Sequence, residues 1–434
     1  MNHSRSECVF ATGIPLTWME KAYAALSPVA FNCAHLVERF RGASEEEQKS
    51  RLGYVLRRDR SSIWFHGASA GEMAAAGALV TVLRDQGYRF ESVYTAANRA
   101  GVDYIRRTDE RASAIGLMPW DTPDCLSRAL DRWNPRVIFL VETELWPRFV
   151  FEASSRGIPV FSVSARIYPA DLMLYRMIRP FISPTLQRIT RIFVQDEVER
   201  DRFVQIGAPE DRCLSAGNLK YIGIRSTIFR DEGLAQELGI SERDQIVVFG
   251  SLHPDETAKL FDAIERIVSM NLRVIVAPRH MTSVEGITHE ATRRGLNFSR
   301  RTNVSTAKQW RLLILDSMGE LSRIYSLATC AVVGGGFERH GGHNPYEPVI
   351  AGAPVAFGLH FFHFDSEARA LRSVTPTAQV GEVDELNRLL TSWLADEALR
   401  RRVLELQRSV LPDGSAIAAR YMEALEPWLS DCDG

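Results

Sequence analysis

The pattern that most constrains this chain is an alternation, repeated in two series, of short apolar runs with helix-length amphipathic segments. In the first series the runs fall at 63–66, 92–96, 114–118, 137–141, 160–163 and 192–194. In the second, beyond Asp231, they fall at 246–250, 274–277, 312–315, 331–333 and 355–357. A short run that is apolar throughout must be buried on both faces, and a helix between two such strands returns the chain so that they lie parallel. The expected fold class is therefore α/β, with two Rossmann-like doubly wound domains facing an interdomain cleft.

At 434 residues, 45% of them hydrophobic, the chain is too long for one ordinary core and fits two domains. The expected division is an N-terminal helical segment over 1–50, a first domain over 51–222, a polar linker over 223–233 and a second domain over 234–434 with the C-terminal helices. Within the N-terminal segment, 18–40 reads as an amphipathic helix broken near Pro28. A formal net charge of -2 gives no global field for nucleic acid, and no nucleic-acid partner is expected. The six cysteines form no C-x-x-C pair and read as reduced thiols of a cytosolic protein. No H-E-x-x-H occurs, and His280, His343 and His363 fall in separate loops, so no metal site is expected. No apolar window is long enough for a transmembrane helix. Neither half carries G-x-G-x-x-G at a first strand-helix turn or a P-loop, which disfavours dinucleotide redox and ATP chemistry. Two such halves describe GT-B glycosyltransferases and the related sugar-nucleotide epimerases.

Chemistry-bearing residues collect where strands end. Glu72 follows the run Trp64-Phe65-His66-Gly67-Ala68-Ser69-Ala70-Gly71, placing a carboxylate in the first turn of a helix at the carboxyl end of a strand. That position suits a general base, and Gly71 permits close approach of a ligand. A helix-terminal glutamate stabilised by the dipole explains it equally from this stretch alone. In the second half, Gly334-Gly335-Gly336 ends one strand and Gly341-Gly342-His343-Asn344-Pro345-Tyr346-Glu347-Pro348 follows. Asn344 can cap a helix starting at Pro345, and the amides there can hold a phosphate while Glu347 accepts from ribose hydroxyls. Arg279 ends the strand at 274–277, and Asp316 to Glu320 follow the strand at 312–315, so three strand ends point at one crevice. In the first half, Glu142-Thr143-Glu144-Leu145-Trp146-Pro147 follows the very apolar strand at 137–141, and Lys220 comes just before the linker.

With these blocks the chain resembles the 3-deoxy-D-manno-octulosonic acid (Kdo) transferases of lipopolysaccharide synthesis, a GT-B family. The resemblance rests on 66–72, 142–147, 164–166, 217–220, 278–280, 316–321 and 341–348. It implies an inverting transfer of Kdo from CMP-Kdo to a lipid A precursor or related acidic saccharide, with Glu72 as catalytic base and Glu142 and Lys220 assisting the transition state. It further implies CMP contacts at Pro278, Arg279, Met318, Gly319, Glu320, Asn344, Pro345, Tyr346 and Glu347, and acceptor contacts at Ser69 and Arg166. No cofactor and no metal are implied, and the expected place is the cytoplasmic face of the inner membrane, held peripherally. The chain departs from the family in lacking the usual anchoring helix at its start, and in having Ile222, Leu252 and His363 where the family has Asp, Thr and Asn. These departures leave open a relative that moves another CMP-activated ulosonic acid to a different acceptor, and a silent nucleotide-binding paralogue. The segment from Arg166 to Phe181 mixes basic and apolar groups and suits either a lipid surface or an amphipathic core helix.

Overall fold

The structure is a computed structural model and describes residues 17–40, 42–57, 60–223, 229–304 and 310–429. The chain divides into two compact units, 1–223 with 412–434, and 224–411. In the first unit seven strands form one sheet: β1 (Ser62–Gly67), β2 (Glu91–Ala96), β3 (Ala114–Leu117), β4 (Pro135–Val141), β5 (Val160–Ala165), β6 (Arg191–Val194) and β7 (Cys213–Ser215). Their order is β3-β2-β1-β4-β5-β6-β7 and every pairing is parallel. Burial on both faces is what the unbroken apolar runs require, and β1 and β5 are buried at every residue.

Aromatic side chains fix this sheet in register. Phe65 stacks on Tyr94 at 5.4 Å and on Phe139 at 5.1 Å, and both are its Cα partners on the adjoining strands. The row continues through Phe161 and Phe193 to Tyr421, 4.9 Å from Phe193. On the opposite face Trp64 meets Trp133 edge-on at 4.7 Å and Phe149 at 4.6 Å. Each such contact adds about 0.5–1.5 kcal/mol beyond the area it buries.

Tyr421 lies on the C-terminal helix Gly414–Leu429, which belongs to the first unit. Its hydroxyl accepts from the Ser164 amide at 2.8 Å and donates to the Gly217 carbonyl at 3.2 Å. Gly414 starts the helix so close to the Tyr221 and Ile222 carbonyls that a Cβ there would sit 2.5–2.6 Å from them. The expected second domain reaching 434 is corrected accordingly: it ends at Leu411, because the last helix completes the aromatic row of the first sheet. The expected break at Pro28 is also corrected, since Trp18–Phe40 runs as a single helix with Pro28 inside it. Side-chain contacts hold that helix on both sides of the proline: Glu20 pairs with Arg188 at 2.8 Å, Tyr23 donates to Asp121 at 2.7 Å, and Glu38 pairs with Arg51 at 3.0 Å. Residues 1–16 of the expected N-terminal segment lie outside the described residues.

The second unit holds β8 (Ile246–Leu252), β9 (Arg273–Pro278), β10 (Phe298–Arg300), β11 (Leu312–Ile314), β12 (Cys330–Val333) and β13 (Val355–Phe357), in the order β10-β11-β9-β8-β12-β13 and again all parallel. Of the expected linker, 224–228 lies outside the described residues, and Glu232 already begins the helix Glu232–Glu237. In each sheet the crossovers reverse direction between two neighbouring strands, β1 and β4 in the first, β8 and β12 in the second. Such switch points open a crevice at the carboxyl ends of the strands, which is where ligands of open α/β sheets bind.

Candidate active site

At the first switch point β1 ends at Gly67 and the helix Ala70–Asp85 begins with Ser69 as its N-cap. Ser69 Oγ accepts from the Glu72 amide at 3.4 Å and donates to Glu72 Oε1 at 3.2 Å, while the Ala68 amide donates to the other carboxyl oxygen. Gly67 has to be glycine, because a Cβ there would lie 2.9 Å from Glu72 Cβ and 2.8 Å from Met73 Cε. Burial pushes the Glu72 carboxyl up to about 7, the nearby Glu142 and Glu144 charges add to the rise, and the Ala68 and Ser69 hydrogen bonds oppose it.

Glu142 follows β4 and is differently disposed. Its φ of 58° lies in the left-handed region, a strain of about 1–2 kcal/mol for a residue with a Cβ. Both carboxyl oxygens are taken: Lys220 Nζ donates to Oε1 at 2.5 Å and Arg166 Nε to Oε2 at 3.1 Å. A carboxylate clamped by two cations is a poor base but a good anchor, and it sets where those cations point. Lys220 Nζ lies 3.8 Å from where a Cβ on Gly71 would be, so the ammonium stands beside the turn that carries Glu72. Arg166 also lies over the Tyr168 ring at 4.2 Å.

Glu144 accepts from Trp146 Nε1 at 2.7 Å and sits 3.0 Å from His66 Nε2. Burial works against its ionisation, but His66 and Trp146 outweigh it and hold the carboxyl below its usual range. His66 is fully buried, with Nδ1 3.0 Å from both the carbonyl and the hydroxyl oxygen of Thr95. Nothing in the sequence pattern marks His66 as the partner of a residue 78 positions away.

In the second unit, Pro278 closes β9 and is buried, while Arg279 beyond it is exposed and donates its amide to the Leu252 carbonyl at 2.9 Å. Met318 is exposed at 69%, Gly319 turns the chain with φ 84°, and Glu320 is held by Arg301 at 2.9 Å and by the Ser317 hydroxyl. Asn344 Oδ1 accepts from the Tyr346 amide at 3.1 Å, and the helix Tyr346–Ala351 starts one residue later than expected. Tyr346 is buried and donates to the Val410 carbonyl at 3.2 Å, which gives its side chain a packing role, whereas Glu347 is exposed. The glycine loop after β12 is pinned by Glu256, a fully buried carboxylate that accepts from the Gly335 amide at 2.7 Å and the His253 amide at 2.9 Å. The sequence did carry a signal for Glu256, which stands three residues beyond an N-cap at His253 in a capping box.

The histidines of separate loops converge here. His253 and His343 face each other with their Nε2 atoms 2.8 Å apart, His340 stacks on His253 at 3.9 Å between centroids, and His280 meets it edge-on at 6.0 Å. Among the described residues no group of three or more His, Cys, Asp or Glu side chains is disposed to hold a metal ion. A cavity of about 980 Å³ beside β3, lined by Lys49, Ile115 and Arg132 among others, includes none of these residues.

Two open parallel sheets, one with buried carboxylates at its switch point and one with an arginine and glycine loops at its own, match the GT-B fold class. Solved structures agree on the fold. UDP-GlcNAc 2-epimerase from Neisseria meningitidis matches with a TM-score of 0.61 at 11% identity, over 84% of this chain and 100% of that one. A glycosyltransferase from Rickettsia africae matches with a TM-score of 0.58 at 10% identity, over 86% of this chain and 100% of that one. The family described as 3-deoxy-D-manno-octulosonic-acid transferase (kdotransferase) matches residues 35–222. The 3-deoxy-D-manno-octulosonic acid transferase of Chlamydia muridarum is 29% identical over 84% of this chain and 85% of that protein. The enzyme of the same name from Haemophilus influenzae is 27% identical, over 85% and 87%. The chain is thus similar to the 3-deoxy-D-manno-octulosonic acid transferases over most of its length.

Proposed function

We propose that this protein is an inverting glycosyltransferase that moves Kdo from CMP-Kdo to a lipid A precursor or related acidic saccharide in lipopolysaccharide biosynthesis. The observation that carries the reading is the Glu72 carboxyl, raised to about 7 and set at the switch point of the first sheet beside the Glu142-Lys220 pair, in a chain similar to these transferases. Ionised Glu72 takes the proton of the attacking acceptor hydroxyl. The acceptor oxygen forms a bond to the anomeric carbon as the bond from that carbon to the CMP phosphate oxygen breaks, and the electron pair leaves with CMP. Lys220, oriented by Glu142, stabilises the negative charge that develops. Ser69 and Arg166 contact the acceptor. Pro278, Arg279, Met318, Gly319, Glu320, Asn344, Pro345, Tyr346 and Glu347 form the CMP site, with Arg279 supplying the charge, Glu347 accepting from ribose, and Pro278 and Tyr346 contributing through backbone. No metal or cofactor takes part.

Calorimetric titration with CMP, UDP and ADP tests the donor side. CMP is expected to bind best, and Arg279→Ala to weaken it by about 1.5–3 kcal/mol. Equal or tighter UDP binding contradicts the cytidine assignment.

The same reading places the protein peripherally at the cytoplasmic face of the inner membrane, where its acceptor lies. No described helix is long and apolar enough to cross a membrane. Support comes from the helix Trp18–Phe40, whose exposed Trp18, Leu26, Val29, Leu36 and Phe40 are spaced by 8, 3, 7 and 4 residues and so fall on one face. Tyr23 of that helix touches Phe181 at 5.4 Å. Just before it in sequence, the helix Pro169–Met177 buries no residue and exposes Met173, Leu174 and Met177. On its other side Leu172 and Tyr175 pack against the core of the first unit, so the helix is amphipathic with an exposed apolar face. Sedimentation with phosphatidylglycerol vesicles is expected to carry down the wild type and much less of a Val29→Glu, Phe40→Glu variant; equal sedimentation contradicts the placement.

A further inference from the structure

Five of the ten histidines, His253, His280, His340, His343 and His363, gather on one rim of the second unit, at the β8/β12 switch point. The His253 and His343 rings are coplanar within 4° and 5.1 Å apart, and their Nε2 atoms approach to 2.8 Å. At that separation the two nitrogens share one proton between them. The pair is either neutral, with one ring carrying its proton on Nε2 and the other on Nδ1, or a cation that holds one proton more. Every charged or titratable neighbour of the pair bears on which form prevails. Arg279 acts on both rings, His280 and His340 on His253, and His340 and His363 on His343. The acidic neighbour of His253 is Asp255, already bonded to His340 at 2.8 Å, while Glu256 is committed to the glycine-loop amides. Burial first, and then these neighbours, push His253 down to about 4 and His343 down to about 3, which favours the neutral pair at neutral pH. The arrangement therefore pairs a strong cation, Arg279, with an adjacent proton acceptor that burial and that cation keep neutral.

We propose that the His253-His343 pair is the proton-uptake element of the donor-phosphate site: a phosphate ester bound beside Arg279 draws one proton from solvent onto the pair, at the Nδ1 left bare by the ring that supplies the shared Nε2 proton. The inference rests on the donor-site reading above. An opposite charge within about 4–6 Å favours the charged form of a titratable group by about 1–3 pKa units, which brings a pair starting near 4 into the range of pH 5–7. The positive charge of the protonated pair stands beside the phosphate as the glycosidic oxygen departs with its electron pair, and the added proton returns to solvent when CMP leaves. Over a turnover none is consumed. By linkage, affinity for the phosphate rises as pH falls, at most about tenfold per pH unit for one proton taken up.

The test is calorimetric titration of the full-length protein at pH 6.0 with cytidine 5′-(methyl phosphate), whose single phosphate charge does not titrate in this range, in buffers of different ionisation enthalpy. For a bound pKa of about 5–7 the wild type is expected to take up about 0.1–0.9 proton per ester bound, and His343→Gln and His253→Gln each to take up none. Binding of the ester by the wild type without proton uptake overturns the proposal, and so does the same uptake in the variants as in the wild type. Either result leaves the donor site standing. Failure of both the ester and CMP to bind overturns the donor-site reading itself, and this proposal with it. Should one variant fail to fold, the wild-type proton count and the other variant still decide.

Discussion

At the scale of single residues, two carboxylates at the switch point of the first sheet have been given different work by their surroundings. Glu142 spends both oxygens on cations, whereas Glu72 receives only the Ala68 amide and the Ser69 hydroxyl and carries the cost of burial beside like charges. A base titrating near 7 predicts that kcat/KM rises about tenfold per pH unit below 7 and levels above it. Glu144→Gln removes one of the charges that raise Glu72, so the rising limb is expected to move to lower pH; a pH-rate profile that does not shift contradicts the coupling. Glu72→Gln keeps size and hydrogen-bond reach but cannot take a proton, and turnover is expected to fall about a hundredfold or more with CMP affinity unchanged. Stability moves the other way. Glu72 ionises at about 7 in the folded protein against 4.5 for the free group, so the native state binds the extra proton and loses stability as pH rises through that window. Glu72→Gln is therefore expected to unfold at higher temperature than wild type at pH 8, by on the order of 1–3 kcal/mol, with no difference at pH 4. Equal melting at pH 8 would show that the carboxylate is not buried at a cost.

At the scale of elements, what holds the second switch point together is one buried side chain. Glu256 binds the amides of Gly335 and His253, joining the glycine loop after β12 to the start of the helix Pro254–Ser269. Glu256→Ala strands two amides and is expected to cost about 2–5 kcal/mol, read by denaturant unfolding, and to weaken CMP binding as the loop loosens. Strands were legible in the sequence where both faces are buried, because β1, β4, β5, β8 and β9 each give a mostly apolar run, with His66 and Ser162 as buried polar exceptions in β1 and β5. The three-residue strands β7 and β10 were not, being too short and too polar for any period to show. The continuity of the helix through Pro28 was likewise hidden, since local propensity favours a break and the contacts of Glu20, Tyr23 and Glu38 with distant residues decide otherwise.

At the scale of the whole molecule, each unit brings its chemistry to the carboxyl edge of a parallel sheet. That is why strand-end motifs such as Glu72, Glu142 and Arg279 could be picked out before the fold was known. Long-range returns of the chain were beyond the reach of sequence. The C-terminal helix crosses back to complete the first aromatic row through Tyr421, and the histidines meet from loops 90 residues apart, as in His253 and His343. Because the charges proposed to act in transfer all belong to side chains, activity is expected to survive EDTA; loss on chelation with recovery on added magnesium contradicts the metal-free account. The most direct measurement is mass analysis of the lipid product after incubating the protein with CMP-Kdo and the tetraacylated lipid A precursor. The account predicts a product heavier by Kdo, with CMP released in equal amount, and little of either from Glu72→Gln. An unmodified lipid with a folded, CMP-binding protein, or a Glu72→Gln variant that transfers at the wild-type rate, would contradict it.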